Sequence, residues 1–217
     1  MTTERARADR ARRLLRRGVE ALSAGDRDLA RIHQRFGLPP TRIRPEGFQT
    51  LFKIIVQQQV SLASGDAIWR RLEAGLDGAG PEAVRAADPM RLRGLGLSQQ
   101  KAAYAHALAE TVLDGTLDLA GLHDLDDDAA VARLTAVKGI GRWTAEIYLL
   151  SALQRPDVWP AADLALMVAA GEVKRLASRP DAKALRLIGE AWRPWRAIAA
   201  RLLWHHYRHA RGRETAL

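Results

Sequence analysis

The sequence predicts an all-α protein, and three observations carry that expectation. Apolar residues recur at a spacing of about 3.6 residues in run after run, as in Leu51, Phe52 and Ile55. Composition is ordinary globular, rich in Ala, Leu and Arg, with few alternating β-branched stretches. The usual breakers, among 17 Gly and 9 Pro, stand in the loops between these short runs. At 217 residues the chain can form one domain or two small lobes, and either can bury an adequate core.

Taken in order, residues 1 to about 22 read as a helix dense in arginine: Arg5, Arg7, Arg10, Arg12, Arg13, Arg16 and Arg17. A solvated helix face is the reading preferred over a phosphate-contacting one. Gly25 interrupts, and a short second helix carries Leu29, Ile32 and Phe36. Gly37-Leu38-Pro39-Pro40 is a loop. A strong helix runs from Phe48 through Ile54 and Ile55 to Gln57-Gln58-Gln59-Val60-Ser61, whose three glutamines, taken alone, read as an exposed helix end. The next helix starts at Ser61 or Ser64 and carries Ile68, Trp69 and Leu72, before a Gly-rich loop from Gly75 to Gly80. Pro81 opens a short helix at the favoured first position. Leu92 to Ser98 is expected as a turn into the helix of Lys101, Tyr104, Leu108 and Val112, and Leu125 begins the next.

The stretch from Leu134 to Asp163 is the most informative. Val131, Leu134 and Val137 form one apolar face, which stops at Lys138-Gly139-Ile140-Gly141, a tight turn with free backbone conformations. A helix restarts at once through Arg142, Trp143, Thr144 and Ala145, with Ile147 and Leu150 as its buried side. The turn therefore ends on a helix N-terminus, where unpaired N–H groups and the dipole favour an anion, and glycines let a phosphate approach. Arg142 adds a formal charge. Twenty residues after Trp143, Trp159-Pro160-Ala161-Ala162-Asp163 brings a carboxylate to the start of a further helix, expected to run to Ser178. Ala182 to Glu190 form another helix, and the last runs from near Pro194 to about Arg211.

The net charge of +9 fits a polyanionic partner, nucleic acid foremost, although a basic composition can also reflect an arginine-rich proteome. Basic residues cluster near both ends while Asp124 to Asp128 form an acidic patch, which points to a binding face. No apolar stretch approaches a membrane span, and no apolar segment follows the Arg-rich start as in a secretory signal, so the expected location is the cytoplasm. Cysteine is absent, which removes disulfides, zinc-thiolate sites, cysteine nucleophiles and cysteine-held iron–sulfur clusters.

The hairpin, the Trp-Thr-Ala after it and an Asp at that distance together resemble the helix-hairpin-helix plus Gly/Pro-Asp signature of the DNA glycosylase superfamily. Within it, the chain resembles the 3-methyladenine-DNA glycosylase II (alkylpurine) family. Three further matches extend the resemblance: Ile55 to Ser61, similar to a glutamine-rich loop pushed into the duplex; Leu95 to Ser98 with Lys101, Ala102 and Tyr104; and Trp192 to Arg196 with Trp204. It covers roughly residues 48 to 207. It implies a two-lobed helical fold: a six-helix lobe over 38–155 with the hairpin at about 129–153, a second lobe from 1–37 plus 156–217, and a DNA-binding cleft between them. It implies a short form lacking the N-terminal β-rich domain of larger relatives.

The resemblance implies a monofunctional enzyme that flips an alkylated base out of double-stranded DNA and hydrolyses its N-glycosidic bond. Asp163 is the expected catalytic carboxylate. On the residues alone, a simple helix N-cap is as good a reading, and the two do not exclude each other. Trp143 stands where bifunctional relatives such as endonuclease III carry a Schiff-base lysine, so no lyase activity is expected. The family places Trp143 at the substrate pocket, where core packing is the plainer reading. Trp204 lies off the stripe of Trp195, Ile198, Ala199, Leu202 and His206, sharing a face with Ala197, Ala200, Arg201 and Arg208. That placement suits stacking on an extruded base or packing on the second lobe, and the pocket role is favoured.

Gly139, Gly141, Arg142 and Thr144 are expected to contact DNA at the hairpin, and Gln59, or second Gln58, to fill the gap in the duplex. His205, His206 and His209 have metal-like spacing but no supporting ligands, so no metal site is expected and a partly exposed helix end is preferred. No cofactor is implied beyond a monovalent cation at the hairpin carbonyls in the DNA complex. Ile147 and Leu164 replace aromatic residues of some relatives, which loosens the expected pocket. A monomer is expected. The competing reading is a DNA-structure-binding helix-hairpin-helix protein without catalysis, which Asp163 argues against.

Overall fold

The computed structural model describes residues 3–212; residues 1, 2 and 213–217, which the expected first helix and second lobe include, lie outside them. Among the described residues there are helices and turns and no strand. In chain order the helices are α1 (Thr3–Gly25), α2 (Arg27–Phe36), α3 (Phe48–Gln57), α4 (Leu62–Gly75), α5 (Pro81–Ala86) and α6 (Pro89–Gly94). Then come α7 (Gln99–Leu113), α8 (Asp127–Thr135), α9 (Arg142–Ser151), α10 (Leu164–Val173), α11 (Ala182–Glu190) and α12 (Arg196–His209). No helix among the described residues is long and apolar enough to cross a membrane. The residues group into two compact units: Arg44–Leu153, and the stretches up to Ile43 and from Gln154 on.

The Arg44–Leu153 unit is built around α3. Phe48, Leu51, Phe52, Ile54, Ile55 and Val56 are all buried, so this helix is enclosed nearly all round rather than on one stripe. It is packed by α4, α7 and α9, while α5 and α6 lie on α7 and α8 pairs with α9. Its N-terminus is tied to α9 by the Gly47 amide, which donates to the Tyr148 hydroxyl at 2.9 Å. The unit has seven α-helices, one more than expected, and a short 3-10 helix at Gly121–Asp124. The addition is α6: Asp88 caps it, Pro89 opens it and it buries Leu92, so this residue is helical rather than part of a turn. The helix expected from Leu125 begins at Asp127, capped by Asp126, whose carboxylate accepts from the Ala129 amide. The buried side of α9 is Ala145, Tyr148 and Leu149 with Leu150, while Ile147 is only half-buried.

In the other unit α12 is the enclosed helix, packed by α1, α2 and α10. Gly18 permits the approach of α1: a Cβ there would stand 2.7 Å from Ile198 and 2.9 Å from the Trp195 ring. Enclosure buries more of α12 than its apolar stripe. Arg201 is buried and donates to the Thr41 carbonyl, and burial, with the Arg42 charge, pushes it down to about 10. His205 is buried as well and shares a hydrogen bond with the Phe36 carbonyl at 3.0 Å, while His206 and His209 are half-buried at the partly exposed end of the helix. The α10 helix stops at Val173, five residues before the expected Ser178, where Arg175 takes a left-handed φ of 53°.

A polar pin joins the start of α2 to the α10–α12 region. Asp26 caps α2, and its Oδ2 accepts from Lys174 at 2.6 Å and from the Trp192 indole at 2.8 Å. Lys174 also donates to Asp28 at 3.0 Å. Burial alone would raise the Asp26 carboxyl, but Lys174, Trp192 and the Leu29 amide outweigh it and hold it low. Asp28 is held low chiefly by its bond from Lys174, while Lys174 is raised by the two carboxylates against the pull of burial.

The sign of the pH effect follows. The carboxylates stabilise the fold fully above about pH 4, and that contribution fades as pH falls through their depressed folded values. The lysine's contribution is present below about pH 10.4 and is lost as pH rises through its raised value. Lys174→Met should cost about 2–3 kcal/mol at neutral pH. Urea unfolding across the acid range should show the gap to wild type narrowing below the carboxylate range; a gap that widens there would contradict the assignment.

Candidate active site and nucleic-acid interface

Asp163 is delivered by an anchored segment. Trp159 is buried, its indole donates to the Leu185 carbonyl at 3.1 Å, and Gly189 leaves it room: a Cβ there would lie 2.5 Å from the indole nitrogen. From that anchor Ala161 donates to the Trp159 carbonyl and Asp163 to the Pro160 carbonyl, a tight turn that ends on α10. Asp163 is the N-cap of α10, with Oδ1 accepting from the Leu166 amide at 3.0 Å. The same oxygen accepts from the Trp204 indole at 3.1 Å. Both residues are half-buried. One carboxylate oxygen is thus fixed by two donors, a backbone amide of the first turn and an indole N–H. Trp204 therefore sits beside the carboxylate and orients it. Leu164, next in the chain, is 58% exposed.

The hairpin lies in the Arg44–Leu153 unit. Gly139 has φ 95°, and a Cβ there would run into the Tyr104 ring, 2.7 Å from its Cδ1. Only glycine satisfies both conditions. Gly141 differs: it caps α9 with extended backbone, is exposed, and a Cβ there would meet nothing within 4 Å. It gives the helix no side-chain cap, which leaves the first-turn amides approachable from outside. Arg142 is exposed but engaged: Nε donates to Glu146 at 2.8 Å, and Nη2 lies 3.8 Å from Asp128. Trp143 is half-buried. Thr144 is buried, and its hydroxyl oxygen accepts from the Gln58 amide at 2.9 Å.

The three glutamines separate into three environments. Gln57 accepts from Arg44 at 3.1 Å and donates to Asp66 at 3.0 Å. Gln58 turns inward, its amide nitrogen donating to the Thr144 hydroxyl at 2.9 Å and the Gly139 carbonyl at 3.3 Å. Gln59 is exposed at a left-handed φ of 55°. The structure thus gathers Gly139, Gly141, Arg142, Thr144, Gln58 and Gln59 in one unit, and Asp163 with Trp204 in the other. Among the described residues no group of His, Asp and Glu could hold a metal ion. The sequence reading missed the contact of Trp204 with Asp163, for which the only signal was an aromatic residue off the main apolar stripe. It also gave no structural task to Lys101 and Tyr104.

Residues 52–194 match the family described as HhH-GPD superfamily base excision DNA repair protein. The DNA-3-methyladenine glycosylase 1 of Schizosaccharomyces pombe is 30% identical over 165 residues, which cover 74% of this chain and 72% of that one. The Escherichia coli DNA-3-methyladenine glycosylase 2 is 32% identical over 125 residues, 58% of this chain and 41% of that one. A Bacillus subtilis relative, YfjP, is matched over only 58% of its length. Among solved structures, the S. pombe 3-methyladenine DNA glycosylase in complex with abasic DNA superposes with a TM-score of 0.82 at 26% identity, covering 92% of this chain and all of that one. A DNA-3-methyladenine glycosidase from Bacillus halodurans gives 0.77 at 32% identity, with 88% of each chain covered.

The two glycines should separate on mutation. Gly139→Ala should destabilise the fold by about 2 kcal/mol or more, through φ strain and overlap with Tyr104. Gly141→Ala should stay within about 0.5 kcal/mol of wild type. Paired denaturant midpoints check this, and equal effects would show that the turn has been misread.

Proposed function

The chain belongs to the HhH-GPD superfamily of base excision DNA repair proteins, and from that premise we propose that it is a monofunctional DNA glycosylase for alkylated purines of the 3-methyladenine type. The observation that carries this reading is the Asp163 carboxylate, held at the head of α10 by the Leu166 amide and the Trp204 indole. Breaking the N-glycosidic bond builds positive charge on the deoxyribose, and a preorganised anion in a poorly hydrated place offsets it. The same carboxylate orients the attacking water. A base already cationic through alkylation departs as a neutral molecule and needs no general acid. One carboxylate is then enough, and the reaction calls for no cofactor.

The rest of the assignment follows the same logic. Trp143, where a lyase needs an amine, supports hydrolysis that leaves an abasic site without strand cleavage; it is half-buried at the head of α9, and Trp204, beside Asp163, is proposed to stack on the extruded base. The open Gly141 face and the uncapped start of α9 receive a phosphate of double-stranded DNA, with a monovalent cation at the hairpin carbonyls in that complex. Exposed Gln59 fills the space that the extruded base vacates. A single chain supplies carboxylate, turn and wedge, which supports action as a monomer.

Asp163→Asn tests the chemistry cleanly. An asparagine oxygen can accept both bonds that Oδ1 accepts from Leu166 and Trp204, so shape is kept and charge is lost. Base release from alkylated duplex should fall by about 10²–10³ or more, while binding to abasic duplex persists. Turnover near wild type in the purified variant would refute the catalytic role; no release by the wild type would leave a binding protein.

Gly141→Val should weaken binding to all duplexes alike and reduce its salt dependence, read by titration at several salt concentrations. A change confined to lesion choice would mean that the turn does not hold phosphate.

A further inference from the structure

The glutamine loop and the phosphate turn are bolted to one another, and α7 supplies the fixture. Lys101 reaches from α7 to the C-terminal end of α3, where its ammonium donates to the Val56 carbonyl at 2.8 Å and the Gln58 carbonyl at 2.7 Å. Carbonyls at a helix C-terminus lack intrahelical partners and carry the negative end of the dipole, so a cation is the group that belongs there. One turn along, on the same face of α7, the Tyr104 ring forms the floor beneath Gly139. Gln58 closes the triangle through its bonds to the Gly139 carbonyl and the Thr144 hydroxyl.

The flanks of the loop are fixed too. Gln57 is held between Arg44 and Asp66, and Ser61 caps α4 by accepting from the Ser64 amide at 3.1 Å. Between these fixed points stand only Gln59 and Val60, both exposed.

We propose that Lys101 and Gln58 are positioning residues that hold Gln59 at a set offset from the phosphate-binding turn, so that seating a phosphate and wedging the duplex are one rigid act. The proposal rests on the glycosylase reading. A wedge must push against stacked bases, and a loop free to fold back would yield instead of opening the duplex. Burial lowers the Lys101 amine from its ordinary value, and its two carbonyl acceptors are the contacts offered in return for lost water. Tyr104 and Lys101 act through what they hold and touch no reacting atom.

The test uses the full chain with Lys101→Met, which keeps the stem and removes the ammonium, beside Lys101→Arg and Gln58→Leu. Three readouts are taken: amide hydrogen exchange over residues 56–61, the fluorescence of 2-aminopurine placed beside an alkylated base, and single-turnover release from paired duplex and from the same strand unpaired. Lys101→Met should speed exchange in that loop alone, reduce the fluorescence rise and slow release from paired duplex about tenfold. Release from the unpaired strand and binding to abasic duplex should hold, and Lys101→Arg should restore part of the loss.

Equal losses on paired and unpaired substrate, or faster exchange with unchanged release from duplex, would overturn the proposal. Should Lys101→Met fail to fold, Gln58→Leu carries the same comparison, because it removes only side-chain bonds. If the wild type releases no base at all, the glycosylase reading fails. The exchange and fluorescence of wild type and variants would then still decide whether the brace sets the loop.

Discussion

How closely the chain can approach itself at Gly139 governs the Arg44–Leu153 unit. A left-handed φ and the Tyr104 ring beneath the residue together forbid any side chain there. That contact brings α7 up against the turn, and α7 then places Lys101 at the end of α3. The turn in turn offers its Gly139 carbonyl to Gln58. A tight turn, a helix start and a glutamine loop thus share one reference point. Gly141, two residues on, owes nothing to packing, so its small size is available to whatever approaches from outside.

Asp163 shows how one carboxylate can meet a structural and a chemical need together. An acceptor at that position caps α10, and Oδ1 of Asp163 accepts there from the Leu166 amide. The Trp204 indole adds a second donor to the same oxygen. The position required by the proposed chemistry is therefore one that the cap and the indole already fix.

Much of this was legible in the sequence because it is local. Gly139-Ile140-Gly141 followed by Arg142-Trp143-Thr144-Ala145 encodes a turn and a helix start within seven residues, and Asp163 before an apolar run encodes a cap. What escaped depended on partners far along the chain. Gln58 meets Thr144, 86 residues away, and nothing in Gln57-Gln58-Gln59 reveals which amide turns inward. Arg201 lies buried because the Thr41 carbonyl awaits it, 160 residues earlier. Periodicity assigned α12 one buried face, and that logic fails for a helix enclosed by three others. The early stop of α10 has a similar cause: the apolar pattern continues to Leu176, but Arg175 leaves helical φ.

The chain order of the two units has a consequence for synthesis. Arg44–Leu153 is one uninterrupted stretch, so the helices that pack around α3 and α7 are all present as soon as that stretch has emerged from the ribosome. The unit holding Asp163 must instead wait for α12, on which α1, α2 and α10 all pack. During that interval α1 and α2 present the apolar faces meant for α12, including the groove at Gly18 that Ile198 will occupy. A nascent chain stalled before α12 would thus hold every residue of the hairpin's unit while its first helices still lacked the helix they pack on.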